Sequence, residues 1–181
     1  MAVFGSELGW PDSEWTRRSI ITVASQIQAF AAQFQANNAE YVAIVSRCSD
    51  EEWVRISPSD GRSVGMIAYH MASVQGGLAG LIEAVIAGRP TNAPGSIEEI
   101  DRMNDDHARN HGSARQEEVL NALSASGQAF LTRLRFLSDD DLDRSVGVLV
   151  GSEMTIGQVI QFAVIGHQRE HLESIRAALA K

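Results

Sequence analysis

TIGQVIQFAVIGHQREHLESI, residues 155–175, is the stretch on which the fold reading turns. Thr155 is a residue type that caps helices, and Ile156, Ile160, Ala163, His167 and His171 then recur three and four apart, along one face of a helix. A last helix is expected over about 156 to 180. His167 and His171 continue the apolar face, so both rings are expected to point into the molecule, where a buried imidazole needs a partner. Helical residues four apart stack with Cβ atoms about 5–6 Å apart, which lets two imidazoles reach one metal ion.

Working back toward the N-terminus, SDDDLDRSVGVLVGSEMT at 138–155 alternates Val146, Val148 and Val150 with small residues, which predicts a short extended excursion. Ahead of it lie two helical pieces, about 97 to 111 and 114 to 137. Ser96 to Glu99 reads as a capping box for the first, and Gly112 with a second box at Ser113 to Gln116 breaks the region before the apolar run Leu120, Leu123, Phe130, Leu134, Leu137. Ser63 is the expected N-cap of a helix running to about Ala87, where Gly88 and Arg89-Pro90 supply a stop. Ile67, His70, Val74, Leu78, Leu81 and Val85 form its stripe, and Gly76, Gly77 and Gly80 permit close approach of a neighbour. The first helix is expected from about Ser13 to Arg47, and Pro58, Asp60 and Gly61 break the connection after it, with Trp53 sealing one bundle end. Four main helices without a strong strand make an all-α bundle.

A chain of 181 residues suits one domain, taken as 1–181. No stretch approaches the roughly 18 uninterrupted apolar residues of a membrane span, and the acidic start with Trp10-Pro11 lacks the pattern of a secretory signal. One cysteine, Cys48, excludes an internal disulfide and a multi-thiolate zinc site, so a cytoplasmic location is the default expectation. A formal charge of −8 opposes the phosphate backbone and argues against nucleic acid as a partner.

The five histidines sort by context. His107 and His111 are also four apart, but they sit in DDHARNHGS, polar on every side, and are expected to face solvent. His70 is the remaining histidine on an apolar stripe, flanked by Met66, Ile67 and Val74. Spacing and phase alone leave two readings of His70, His167 and His171: a three-histidine metal site, or a structural hydrogen-bond cluster. Glu170, between the pair, is a candidate base or a surface ion-pair partner of Arg169 or Arg176, and the surface pair is the preferred reading. Cys48, with no basic cluster beside it, reads as packing.

SVGMIAYHMA at 63–72, IDRMN at 100–104 and the 155–175 stretch together resemble the DinB-like family, whose relatives include hydrolases and mycothiol- or bacillithiol-dependent transferases and isomerases. The resemblance implies a four-helix bundle of up-down-down-up type. It also implies a divalent metal, nickel or zinc, held by one histidine of the second helix and a His-x-x-x-His pair of the fourth. These positions are His70, His167 and His171 here. Asp101 and Asn104 carry over as a pocket-side or structural motif. Where many relatives have an acidic residue about a turn after the second-helix histidine, this chain has Val74 and Gln75. A homodimer is implied too, in keeping with apolar residues on more than one side of the first helix, including Ile21, Phe30 and Val42.

Three neutral imidazoles leave coordination positions open, the mark of a catalytic rather than a closed structural site. Such a site suits activation of water for hydrolysis or of a low-molecular-weight thiol for transfer or isomerisation. The sequence does not choose between these or a non-catalytic metal-binding stress protein.

Overall fold

Ser25 opens the first helix by accepting the Gln28 amide on its hydroxyl, while Asp139 from a distant turn accepts the amides of Gln26 and Ile27. The computed structural model describes residues 25–180 except Asn92, Gly112 and Ser113, and leaves out the side chains of Ile97, Asp101, His107, Ala108, Asn110 and His111. The elements are α1 (Gln26–Val45), α2 (Asp50–Trp53), α3 (Val64–Ile86), α4 (Ile97–His111) and α5 (Gln116–Arg135). A 3-10 turn (Asp139–Asp143) and the strands β1 (Ser145–Leu149) and β2 (Ser152–Thr155) follow. The chain ends in one rod made of α6 (Ile156–Gln158), a π-helical stretch (Val159–Gly166) and α7 (His167–Leu179).

Most boundaries follow the cap residues. Ser63 accepts the Met66 amide, Thr155 and Gln158 cap each other's backbone amides, and Gly88, at φ +64°, ends α3 with Arg89 donating back to the Ala84 carbonyl. Three expectations are corrected. α1 begins at Gln26 because Ser25 has left helical geometry, so it has 20 residues and not the expected ~30; residues 13–24 lie outside the described set. The second capping box is not used: α5 starts at Gln116, whose side chain instead donates to the Val45 and Cys48 carbonyls, and Glu118 accepts the Arg115 amide. Ser113 lies outside the described residues. The last helix is not α-helical throughout, since the His167 amide reaches back five residues to the Phe162 carbonyl.

Two apolar clusters fill the bundle and fix its direction. One joins the first half of α1 (Phe30, Phe34) to the ends of α3 (Ile82) and α5 (Phe130, Leu134) and to the start of the last rod (Ile160, Val164). The other joins the end of α1 (Tyr41, Val45) to the starts of α3 (Val64, Ile67) and α5 (Val119, Leu123) and to the end of α7 (Leu172, Ile175). α1 and the last rod therefore run one way and α3 and α5 the other, the up-down-down-up order, with α4 in the long crossover between the two middle helices. Phe30 is buried in this core, so it supplies no second apolar face on α1, and Ile21 lies outside the described residues.

Between the clusters sits a polar layer. Gln75 of α3, wholly buried, donates to Asn38 Oδ1 of α1 at 3.1 Å and accepts from Ser126 Oγ of α5 at 2.9 Å. Gln168 comes between the two clusters along the last rod, equally buried, with neither amide atom hydrogen-bonded within the protein. The extended excursion is an antiparallel hairpin. Its tip is latched to the α3–α4 crossover by the Val150 and Gly151 amides, which donate to the Pro94 and Gly95 carbonyls, both at 3.0 Å. Trp53 lies against Gly65 and donates to the Ala114 carbonyl at 3.2 Å, closing the lower end of the bundle. Among the described residues no helix is long and apolar enough to cross a membrane.

Candidate metal centre

His70 projects from the second turn of α3, whose start is fixed by the Ser63 cap. His167 and His171 occupy the first turns of α7, directly after the π-helical stretch. The three rings meet: centroids are 5.2 Å apart for His70 and His167, 5.1 Å for His70 and His171, and 4.4 Å for His167 and His171. One ligand nitrogen from each lies within 4.8 Å of the others, so the three are placed to share a single ion. His70 and His171 are buried and His167 is half-buried.

The connection after α2 reaches this cluster, a placement the sequence reading did not include. It folds back on itself, with Ile56 bridging Ser63, the Ser57 amide on the Arg62 carbonyl and Gly61 at φ +81° making the turn. Ser57 Oγ donates to the Ser174 carbonyl of α7 at 2.8 Å, which ties the loop to the helix one turn beyond His171. Asp60 at its tip receives both arms of the Arg62 guanidinium, Nε on Oδ1 at 2.5 Å and Nη2 on Oδ2 at 2.9 Å. The same Oδ2 lies 3.1 Å from Nδ1 of His171. That contact is an electrostatic one at the Nδ1 edge, off the angle of a well-formed hydrogen bond, so neither buried ring nitrogen of His171 has a well-formed hydrogen bond within the protein.

The electrostatics follow from burial and from the Asp60–Arg62 pair. Burial holds the His171 imidazole at about 4, helped by His167 and Arg62 and opposed by Asp60. Burial also lowers His167; Arg62 adds to this, while Glu170, a hydrogen bond to the Ala163 carbonyl and Asp60 oppose it. For Asp60, burial would raise the carboxyl, but the hydrogen bonds and charge of Arg62, with His171, hold it below the usual range. His167 and His171 are thus kept neutral, the form that binds metals. The His171 ring, buried, already deprotonated and without a well-formed hydrogen bond at either nitrogen, offers a lone pair that a resident divalent ion would satisfy, and three imidazole donors suit a transition-metal ion.

Other candidates fall elsewhere. Glu170 is exposed and reaches His167 only as a charge; the expected pair with Arg176 is absent, because Arg176 pairs with Glu40 of α1. Cys48 is buried, donates to the Ile44 carbonyl and has its thiol pushed up by burial and by Glu52, so it is packing. Asn104 is half-buried on α4. His107 and His111 also belong to α4, and their side chains, like that of Asp101, lie outside the described residues.

A mutant of a mycothiol-dependent maleylpyruvate isomerase superposes with a TM-score of 0.68 at 14% identity, over 86% of this chain and 61% of that one. This chain therefore spans about three fifths of that relative. The sibling lethal factor precursor DfsB gives 0.66 at 15% identity over 83% and 92% of the two chains. The colibactin self-resistance protein ClbS, solved in complex with double-stranded DNA, gives 0.67 at 14% identity over 87% and 97%. At these identities the likeness establishes a shared fold. No curated protein matches the chain in sequence. The DinB superfamily model matches residues 33–175, which takes in all three histidines, the loop that carries Asp60 and most of every long helix: the chain belongs to the DinB superfamily.

Proposed function

We propose that His70, His167 and His171 hold one divalent metal, nickel or zinc, and that the protein is an enzyme acting through a low-molecular-weight thiol in S-transfer or isomerisation. The observation that carries the metal reading is the convergence of three imidazoles from two helices, one of them buried with neither nitrogen in a well-formed hydrogen bond. Three protein ligands leave room for an exogenous one. A divalent ion held there supplies Lewis acidity, which favours the thiolate form of a bound thiol near neutral pH. The chain's own part is to hold three imidazoles converged, with His167 and His171 kept neutral, and to shield one side of the site with the loop carrying Asp60 and Arg62. The thiol is supported by the fold shared with a mycothiol-dependent isomerase and by the absence of a reactive thiol among the described residues, since Cys48 is buried and raised. The acidic chain, at −8, argues against DNA as its substrate despite the fold shared with a DNA-bound relative.

The test is metal analysis of the purified protein, followed by turnover assays of the loaded protein with mycothiol, bacillithiol and glutathione. One ion per chain and thiol-dependent turnover are expected. Turnover without any thiol would replace the transfer reading by hydrolysis, and loading without turnover would leave a metal-binding protein.

A further inference from the structure

We propose that Asp60 is a positioning residue for His171: locked by the Arg62 guanidinium, its carboxylate holds the imidazole by the Nδ1 edge and leaves Nε2 as the nitrogen offered to an ion. The inference rests on the metal reading above and adds residues to it from a segment that contributes none of the three imidazoles.

The arrangement is built rather than incidental. The Asp60 side chain is only 7% exposed, and a buried carboxylate needs charged or hydrogen-bonding partners to stay there. Arg62 provides them through a two-armed fork that leaves little freedom of rotation, and the remaining direction of Oδ2 faces His171 at 3.1 Å. Asp60 is not a fourth ligand. The group of donor atoms lying within 4.8 Å of one another comprises the three histidines and no oxygen of Asp60. A carboxylate on the far nitrogen of a metal-binding imidazole fixes its tautomer and ring orientation and raises its basicity, and losing such a partner typically costs ten- to hundredfold in metal affinity. Nor is Asp60 needed to hold the loop, which is independently tied by Ser57 to Ser174, by Arg55 to the Ala178 carbonyl and by the Ile56–Ser63 bridge.

The test measures zinc affinity by chelator competition, and the visible spectrum of the cobalt-loaded protein, for the wild type, Asp60→Asn, Arg62→Lys and Ser57→Ala. Asp60→Asn should still bind one ion per chain, about ten- to hundredfold more weakly, with the cobalt bands unmoved because the ligand set is unchanged. Arg62→Lys, which keeps the charge but not the fork, should weaken binding in the same direction by a smaller factor. Ser57→Ala, which loosens the loop alone, should change affinity by less than threefold. Zinc affinity in Asp60→Asn within threefold of wild type would overturn the role, as would an equal loss in Ser57→Ala. Shifted cobalt bands in Asp60→Asn would overturn it in favour of direct ligation. Failure of the wild type to bind zinc would instead overturn the metal reading, and this inference with it. Melting of each variant in excess chelator confirms that folded proteins are compared, and Arg62→Lys carries the test if Asp60→Asn does not fold.

Discussion

Gly127 of α5 stands so close to Asn38 of α1 that a Cβ on it would fall 2.6 Å from Nδ2 and 3.1 Å from Cγ of the asparagine. Asn38 cannot retreat freely, because its Oδ1 accepts from the buried Gln75. Gly127→Ala should therefore destabilise the protein by about 1–2 kcal/mol: the usual helix-propensity gain of about 1 kcal/mol is outweighed by overpacking and by a strained buried hydrogen bond. Urea denaturation checks this, and a more stable variant would show that the polar layer yields.

Gly65 and Trp53 make a second such contact, with an added Cβ 2.5 Å from the indole Cε2. Gly65→Ala should push the indole off its seat, break its bond to the Ala114 carbonyl and cost about 2 kcal/mol or more. In a Trp53→Leu background the same substitution should cost markedly less. A double-mutant cycle with additive effects would contradict the contact.

The sequence made the histidine triad and most helix ends legible because both depend on local spacing. His167 and His171 share a face by helical phase alone, and Ser63, Gly88 and Thr155 act on amides or carbonyls a few residues away. Asp60 and Arg62 were readable only as part of a loop: their approach to His171 depends on where the loop lands on α7, more than a hundred residues later. The polar layer was hidden for the same reason. Gln75 appeared only where relatives of the family it resembles have an acidic residue, and its partners Asn38 and Ser126 lie on other elements. The π-helical stretch escaped notice because VIQFAVIG is apolar at most positions and fits either helical period.

For the metal itself, His167→Ala and His171→Ala should each abolish most of the bound ion, as should His70→Ala, whereas His107→Ala and His111→Ala should leave it in place. Metal content by mass spectrometry decides the matter, and full occupancy after loss of both His167 and His171 would refute the assignment.

Stability of the metal-free protein should depend on pH in a defined window. His171 titrates at about 4 in the folded state, held down first by burial, against about 6.5 unfolded. Below about 6.5 the unfolded chain takes up a proton that the folded chain refuses, so stability is complete above that pH and falls down to about 4, by up to about 3 kcal/mol. The lowered His167 adds a loss of the same sign. Chelator at neutral pH should also lower the melting temperature, since an ion at a hundredfold excess over Kd adds about 2.7 kcal/mol. Urea titrations at pH 7, 5.5 and 4.5, with and without chelator, test both effects. Stability that stays level from pH 7 to 4.5 in chelator would remove the first, and superimposed curves at pH 7 the second.

The latch between the hairpin tip and the crossover gives the molecule a built-in reporter. The amides of Val150 and Gly151 can exchange with solvent deuterium only when they let go of Pro94 and Gly95, so their exchange rates measure how often the α3–α4 segment lifts from the hairpin. Val150 holds a left-handed φ of 53°, unfavourable for a β-branched residue, and that strain places the latch among the weaker points of the fold. Detachment of the crossover would then be visible as a local opening, faster than global unfolding, in two amides remote from the histidines.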